Sequence, residues 1–160
     1  DRAATTQQAV DLLLSYDMIA TSGRDYHFSI TDAQGDARVI EYDCDRPERM
    51  PVVTPTRQVT NFFVMHEDKV APFQKNGAYG HGRERYDVIS AVLDGAPSGQ
   101  DAQVTAWKAL RTASQEPNPE DVTSNTQWSI VFDNANLTAD VALRRRWADV
   151  HHADIHGNMV

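Results

Sequence analysis

Tyr26-His27-Phe28-Ser29-Ile30-Thr31, then Asp32-Ala33-Gln34-Gly35-Asp36, then Arg38-Val39-Ile40-Glu41-Tyr42: the reading of this stretch decides the fold. Tyr26, Phe28 and Ile30 alternate with His27, Ser29 and Thr31. A period of two belongs to a strand with one face buried. The middle segment carries turn chemistry and a glycine, and the last one returns as a second apolar strand. Together they predict a β-hairpin. Strand pairs joined by short turns build antiparallel sheets.

On the N-terminal side, Thr5 and Thr6 are helix-capping residues, and Ala9, Leu12, Leu13 and Tyr16 recur at helical spacing. They predict an amphipathic helix over 5–20, stopped by Ser22-Gly23. On the C-terminal side, Pro47, Pro51 and Pro55 punctuate a loop. Residues 58–64 are apolar enough for a third strand, and 65–82 read as a long glycine-bearing loop of the kind usually tied to function. Tyr86, Ile89 and Leu93 share one face of a helix over 83–93, and Gly95-Ala96-Pro97 ends it. A second helix over 98–114 carries Val104, Trp107 and Leu110. Thr126, Trp128, Ile130 and Phe132 then alternate as a strand, with the tryptophan expected inward. Asp133-Asn134-Ala135-Asn136 turns the chain, and Val141, Leu143 and Arg145 run back beside it. There is no internal repeat. The expected class is α+β, antiparallel sheet layers with packed helices, in a single domain over 1–160.

The 160 residues are 41% hydrophobic and 24% charged, which suits a globular chain with a substantial core. A formal charge of −8 repels phosphate backbones and anionic lipid, so nucleic acid and membrane surfaces are excluded as expected partners. The charge reads as a solvated acidic surface. No apolar run approaches the roughly 20 residues that span a bilayer. A single cysteine, Cys44, rules out an internal disulfide framework.

Few residues carry chemistry. Asn61 ends the predicted strand 58–64, a rigid platform from which an amide can donate to a developing oxyanion. Its plain alternative is a turn asparagine bonding its own backbone. Arg85 follows Gly80-His81-Gly82, whose glycines let the loop approach another group closely. A guanidinium beside a thiol favours the thiolate. The alternative is a solvated helix arginine. Cys44 is flanked by Asp43 and Asp45, which oppose thiolate formation and make it a poor nucleophile. His152 and His156 would share a face only on a helix, which Gly157 and Asn158 cut short, so His151, His152 and His156 read as an exposed tail rather than a zinc site. Trp128 and Trp147 read as core aromatics, and Arg144-Arg145-Arg146 as a solvated strand edge.

Four segments, in order, resemble the choloylglycine hydrolase and linear amide C–N hydrolase family of N-terminal-nucleophile hydrolases. They are the hairpin from His27 through Asp32 and Gly35 to Glu41-Tyr42, then Val59-Thr60-Asn61, then Gly82-Arg83-Glu84-Arg85-Tyr86, then Thr126-Gln127-Trp128-Ser129. The resemblance implies an αββα sandwich and hydrolysis of a non-peptide amide, as in conjugated bile acids, penicillins or N-acylethanolamines. It implies a cysteine at the start of the mature chain as nucleophile, with its own amine as base, and no cofactor. Asn61 would match the family's asparagine near the oxyanion, and Arg85 the arginine beside the thiol.

The chain departs from that pattern at Asp1, where the family has its cysteine. The expectation is therefore a C-terminal portion of such an enzyme, inactive alone, whose partners are a small amide substrate and the segment bearing the thiol. Strand faces around Trp128, Ile130 and Phe132 are expected to lack cover and to drive self-association. Two rivals stand beside this reading: a non-enzymatic binding domain on the same scaffold, and an unrelated enzyme that pairs Cys44 with a histidine.

Overall fold

The computed structural model describes residues 2–19 and 26–154. Ser22-Gly23, His156 and the residues after it lie outside the described residues. The chain forms two compact units, Asp1–Glu84 and Arg85–Val160. Each holds a three-stranded antiparallel sheet and helical segments, so the α+β class stands.

In the first unit, α1 spans Thr6–Leu14. The Thr5 hydroxyl accepts from the Gln8 amide, and the Gln8 side chain accepts in return from the Ala4 amide, a reciprocal cap. The helix ends earlier than its apolar spacing suggests, because the Ser15 hydroxyl and amide fold back onto the Leu12 carbonyl. β1 (Phe28–Thr31) and β2 (Ala37–Tyr42) form the predicted hairpin, with Phe28 opposite Ile40 and Thr31 opposite Ala37.

Asp32 organises the turn. One carboxylate oxygen accepts from the Gln34 and Asp36 amides, and the other from the amide of Thr6. Gly35 supplies the positive φ of 86° that the turn requires. The Thr6 hydroxyl donates to the Asp36 carbonyl, so the start of α1 is pinned to the hairpin.

β3 (Pro51–Pro55) pairs with β2, where the three prolines suggested only loop. Pro51 and Pro55 stand at the two ends of an edge strand, where a missing ladder donor is tolerated. β2 is thus the central strand, and Val39, Ile40 and Glu41 are almost wholly buried. The strand expected at 58–64 does not form. Phe62 makes one isolated bridge with Gly80, and a 3-10 turn follows over Val64–Lys69. The amides that begin this turn donate to the Glu41 carboxylate rather than to a neighbouring strand.

Helix α2 (Arg83–Asp94) carries the chain into the second unit. There α3 (Ala102–Ala113) starts at Asp101, whose carboxylate accepts from the Gln103 amide. β4 (Trp128–Asp133) and β5 (Thr138–Leu143) form the second predicted hairpin, with Trp128 opposite Leu143. β6 (Val150–Asp154) pairs with β5 and takes up His151 and His152, so this segment is a strand and not a tail.

α3 packs against β4, and the side chain of Gln103 donates to the buried Asp140 on β5. Ser129, Asp140 and Ala142 lie on that covered face. The opposite face carries Trp128, Ile130 and Phe132. Trp128 is 63% exposed and Phe132 66%, so Trp128 is not a core aromatic. Trp147 is half-buried, edge-on to Trp107 and beneath the Arg111 guanidinium. The arginine run lies beyond β5 in a turn, where Arg144 and Arg145 take positive φ. Arg145 pairs with Glu116 and holds that carboxyl below its usual range. No helix among the described residues is long and apolar enough to cross a membrane.

Candidate functional site

A cavity of about 430 Å³ opens in the first unit, lined by Tyr26, His27, Thr60, Asn61, Phe62, Phe63 and His81. Its wall is two irregular segments zipped together. The Phe63 amide donates to the Tyr79 carbonyl at 3.0 Å, and the His81 amide to the Asn61 carbonyl at 2.9 Å. The Thr60 hydroxyl donates to the Gly82 carbonyl at 2.9 Å. Gly80 makes this approach possible. A Cβ there would sit 2.1 Å from the Asn61 carbonyl oxygen and 2.5 Å from the Phe62 Cα, and its φ is +103°. Two stretches singled out in the sequence, 58–63 and 80–82, therefore meet at one cavity.

Behind the wall lies a residue to which the sequence alone assigned no role beyond its strand. Glu41 is fully buried on β2. Its Oε1 accepts from the Val64 amide at 2.8 Å, and its Oε2 from the Met65 amide at 2.9 Å. His27 Nδ1 stands 3.2 Å from Oε1. With the carboxylate as acceptor, Nδ1 carries the proton, and Nε2 remains as the second functional nitrogen of a residue that lines the cavity. One signal was present: an acidic residue between Ile40 and Tyr42 in a strand otherwise written for a core. Such a carboxylate is buried only with donors around it.

Asn61 is on the cavity wall, exposed, with its backbone carbonyl engaged by His81. Arg85 belongs to α2 and to the second unit, is half-buried, and has its Nε atom fully shielded from solvent. Thr126-Gln127-Trp128-Ser129 lies at the start of β4 in the same unit as Arg85. The arrangement around the cavity offers an amide side chain, two imidazoles, the hydroxyl-bearing Thr60 and Tyr26, and apolar aromatic surface. That set can orient a polar group within an otherwise apolar ligand.

Cys44 lies apart from this lining, on the surface turn after β2. One ligand atom from each of Cys44, Asp45 and His66 falls within 4.8 Å of the other two. Lys69 Nζ donates to Asp45 Oδ2 at 2.7 Å and, with the Tyr79 hydroxyl, holds that carboxyl below its usual range. The same pairing pushes the Lys69 amine upward.

By fold, the chain is an α+β protein with a mixed polar and aromatic cavity in its first unit. Comparison with protein-family models, with curated proteins and with solved structures gives no match.

Proposed function

We propose that this chain is part of a hydrolase of linear, non-peptide amides that works through an N-terminal cysteine. One observation carries the reading. Thr60 and Asn61, from one of the four segments resembling the choloylglycine hydrolase family, line a cavity of about 430 Å³, and the Thr60 hydroxyl donates to the carbonyl of Gly82, the first residue of another. In this reading the two sheets belong to an αββα sandwich. The thiol lies in a segment outside the 160 residues.

The thiol attacks the amide carbonyl while its proton passes to the terminal amine. That proton goes to the leaving amine as the acyl-enzyme forms, and water then hydrolyses the acyl-enzyme to the free acid and thiol. The Asn61 amide donates to the oxygen that becomes negative, and Arg85 favours the thiolate. The substrate is a small amide with an apolar acyl group, as in bile-acid conjugates, penicillin V or N-acyl amines.

The test uses the complete open reading frame that contains this chain, screened against those three substrate classes. Hydrolysis is expected, and Asn61→Ala is expected to lower kcat about 10²–10³-fold, the usual loss for one oxyanion donor. An active enzyme indifferent to Asn61→Ala removes the assignment of that residue. Absence of hydrolysis, with saturable binding of an intact amide, favours a binding domain instead. That second reading draws on one fact: the chain's single thiol is absent from the cavity lining.

A further inference from the structure

His66 is the most buried histidine among the described residues, 7% exposed, on the 3-10 turn Val64–Lys69. Its Nε2 is shielded from solvent and has no hydrogen-bond partner among the described residues. A buried ring nitrogen left in this way is uncommon and calls for an occupant. The nitrogen points between two carboxylates: Asp43 Oδ1 is 3.7 Å away and Asp45 Oδ2 is 3.8 Å away. Both separations are too long for a hydrogen bond. They are close to the spacing of two ligands on one metal ion, roughly 3.4 Å across a tetrahedral edge at zinc bond lengths. The Cys44 sulfur completes a group whose ligand atoms lie within 4.8 Å of one another.

We propose that Cys44, Asp45 and His66 bind a borderline-soft divalent cation of the zinc type. The donor set selects the metal. Thiolate and imidazole favour zinc over magnesium or calcium, which take oxygen ligands. Three protein ligands leave a fourth position for water or a small ligand. The shell must contract by a few tenths of an ångström at the carboxylate and more at the sulfur. Cys44 and Asp45 sit on an exposed turn, where such an adjustment meets no core packing, whereas His66 is held by burial and by its ring contact with Tyr79 at 4.6 Å.

The charged groups facing the site act in both directions. Asp43 and Asp45 attract the cation. Arg46, 3.2 Å from Asp43, and Lys69, 2.7 Å from Asp45, offset part of that attraction. Lys69 and Tyr79 also orient Asp45 from the outer sphere. Affinity is therefore expected to lie below that of a closed four-thiolate site. The bound ion also reverses the local logic at Cys44. The flanking carboxylates oppose a bare thiolate, but a coordinated thiol gives up its proton to solvent. The site would tie the turn after β2 to the 3-10 turn whose amides Glu41 holds.

The probe is Co2+ alone, followed by Zn2+ competition, on the full 160-residue chain. Expected are one-to-one saturation and a sulfur-to-cobalt charge-transfer band in the near ultraviolet, displaced by Zn2+. Cys44→Ser should remove the band, and His66→Ala should weaken binding by more than the roughly 10–100-fold lost with an outer-sphere partner. His152→Ala, on β6, should change neither. Cys44→Ser alters a surface turn and leaves the fold intact, so it decides the question even if His66→Ala fails to fold. Absence of saturable binding, or a spectrum unchanged by Cys44→Ser, overturns the proposal. Amide hydrolysis by the complete protein is a separate readout, so either idea can fail alone.

Discussion

Glu41 is the most exacting test of how the first unit holds together. Three donors converge on its carboxylate: the Val64 amide, the Met65 amide and His27 Nδ1. Glu41 is 0% exposed, so no water replaces a lost acceptor from the open side. Hydrogen bonds to a charged group contribute about 1.5–3 kcal/mol each, and a stranded buried donor costs about 1–3 kcal/mol.

Glu41→Gln keeps one oxygen, which can still serve Val64 and His27. Its amide nitrogen then faces the Met65 N–H, donor against donor. The expected loss is about 2.5–6 kcal/mol, one charged bond plus one stranded amide. Glu41→Leu has the opposing effect of removing a costly buried carboxylate, and such replacements sometimes stabilise. Here two of the three orphaned donors are backbone amides that stay whatever residue occupies position 41. Leucine is therefore expected to be worse than glutamine. Urea unfolding followed by circular dichroism gives the midpoints, and hydrogen exchange at Val64 and Met65 reports the amides directly. A glutamine variant within about 0.5 kcal/mol of the parent, or a leucine variant more stable than it, would refute the reasoning.

Gly80→Ala should cost about 3 kcal/mol or more, because the new Cβ meets the Asn61 and Phe62 backbone at a φ forbidden to alanine; a thermal midpoint unchanged from the parent would contradict this. Asp32 has its carboxyl lowered chiefly by the Thr6 amide, so its contribution is present above the ordinary carboxylate pKa and is lost as pH falls through the folded value. Asp32→Asn is thus expected to lower the urea midpoint near neutral pH, with the gap to the parent closing in strong acid; a gap constant with pH is the contrary result. Trp128→Glu combined with Phe132→Lys should reduce self-association in light scattering at high protein concentration while leaving the urea midpoint nearly unchanged, since both side chains are more than half exposed. A monomeric parent would show that this sheet face needs no partner.

How much could be read beforehand follows physical lines. Both hairpins were legible, because alternation and turn chemistry are local: Tyr26 to Tyr42 with Gly35 at the bend, and Trp128 to Leu143 with Asp133 and Asn136. Helices α2 and α3 were also legible from apolar spacing and from the Gly95-Ala96-Pro97 stop between them. β3 was not, because Pro51 and Pro55 break strands in general, and only pairing with β2 on an open edge makes them acceptable. β6 was not, because Val150 to Asp154 has too little apolar alternation until β5 offers a ladder. The strand expected at 58–64 failed because Glu41, remote in sequence, captures the amides that begin the next turn.

The same division holds for the cavity and the His66 cluster. The residues 58–63 and 80–82 stood out by their amide and glycines, and Gly80 by the need for close approach. Their meeting depended on hydrogen bonds between segments separated by many residues. His66 carried no mark in the sequence at all. It became notable only when burial removed water from its ring nitrogen and the chain brought Asp43, Cys44 and Asp45 around it. Local sequence determined which backbone groups turn, alternate or cap, since those choices depend on neighbours within a few positions. Which polar groups are left to satisfy one another away from solvent is a property of the closed chain, and the tertiary structure alone decided it.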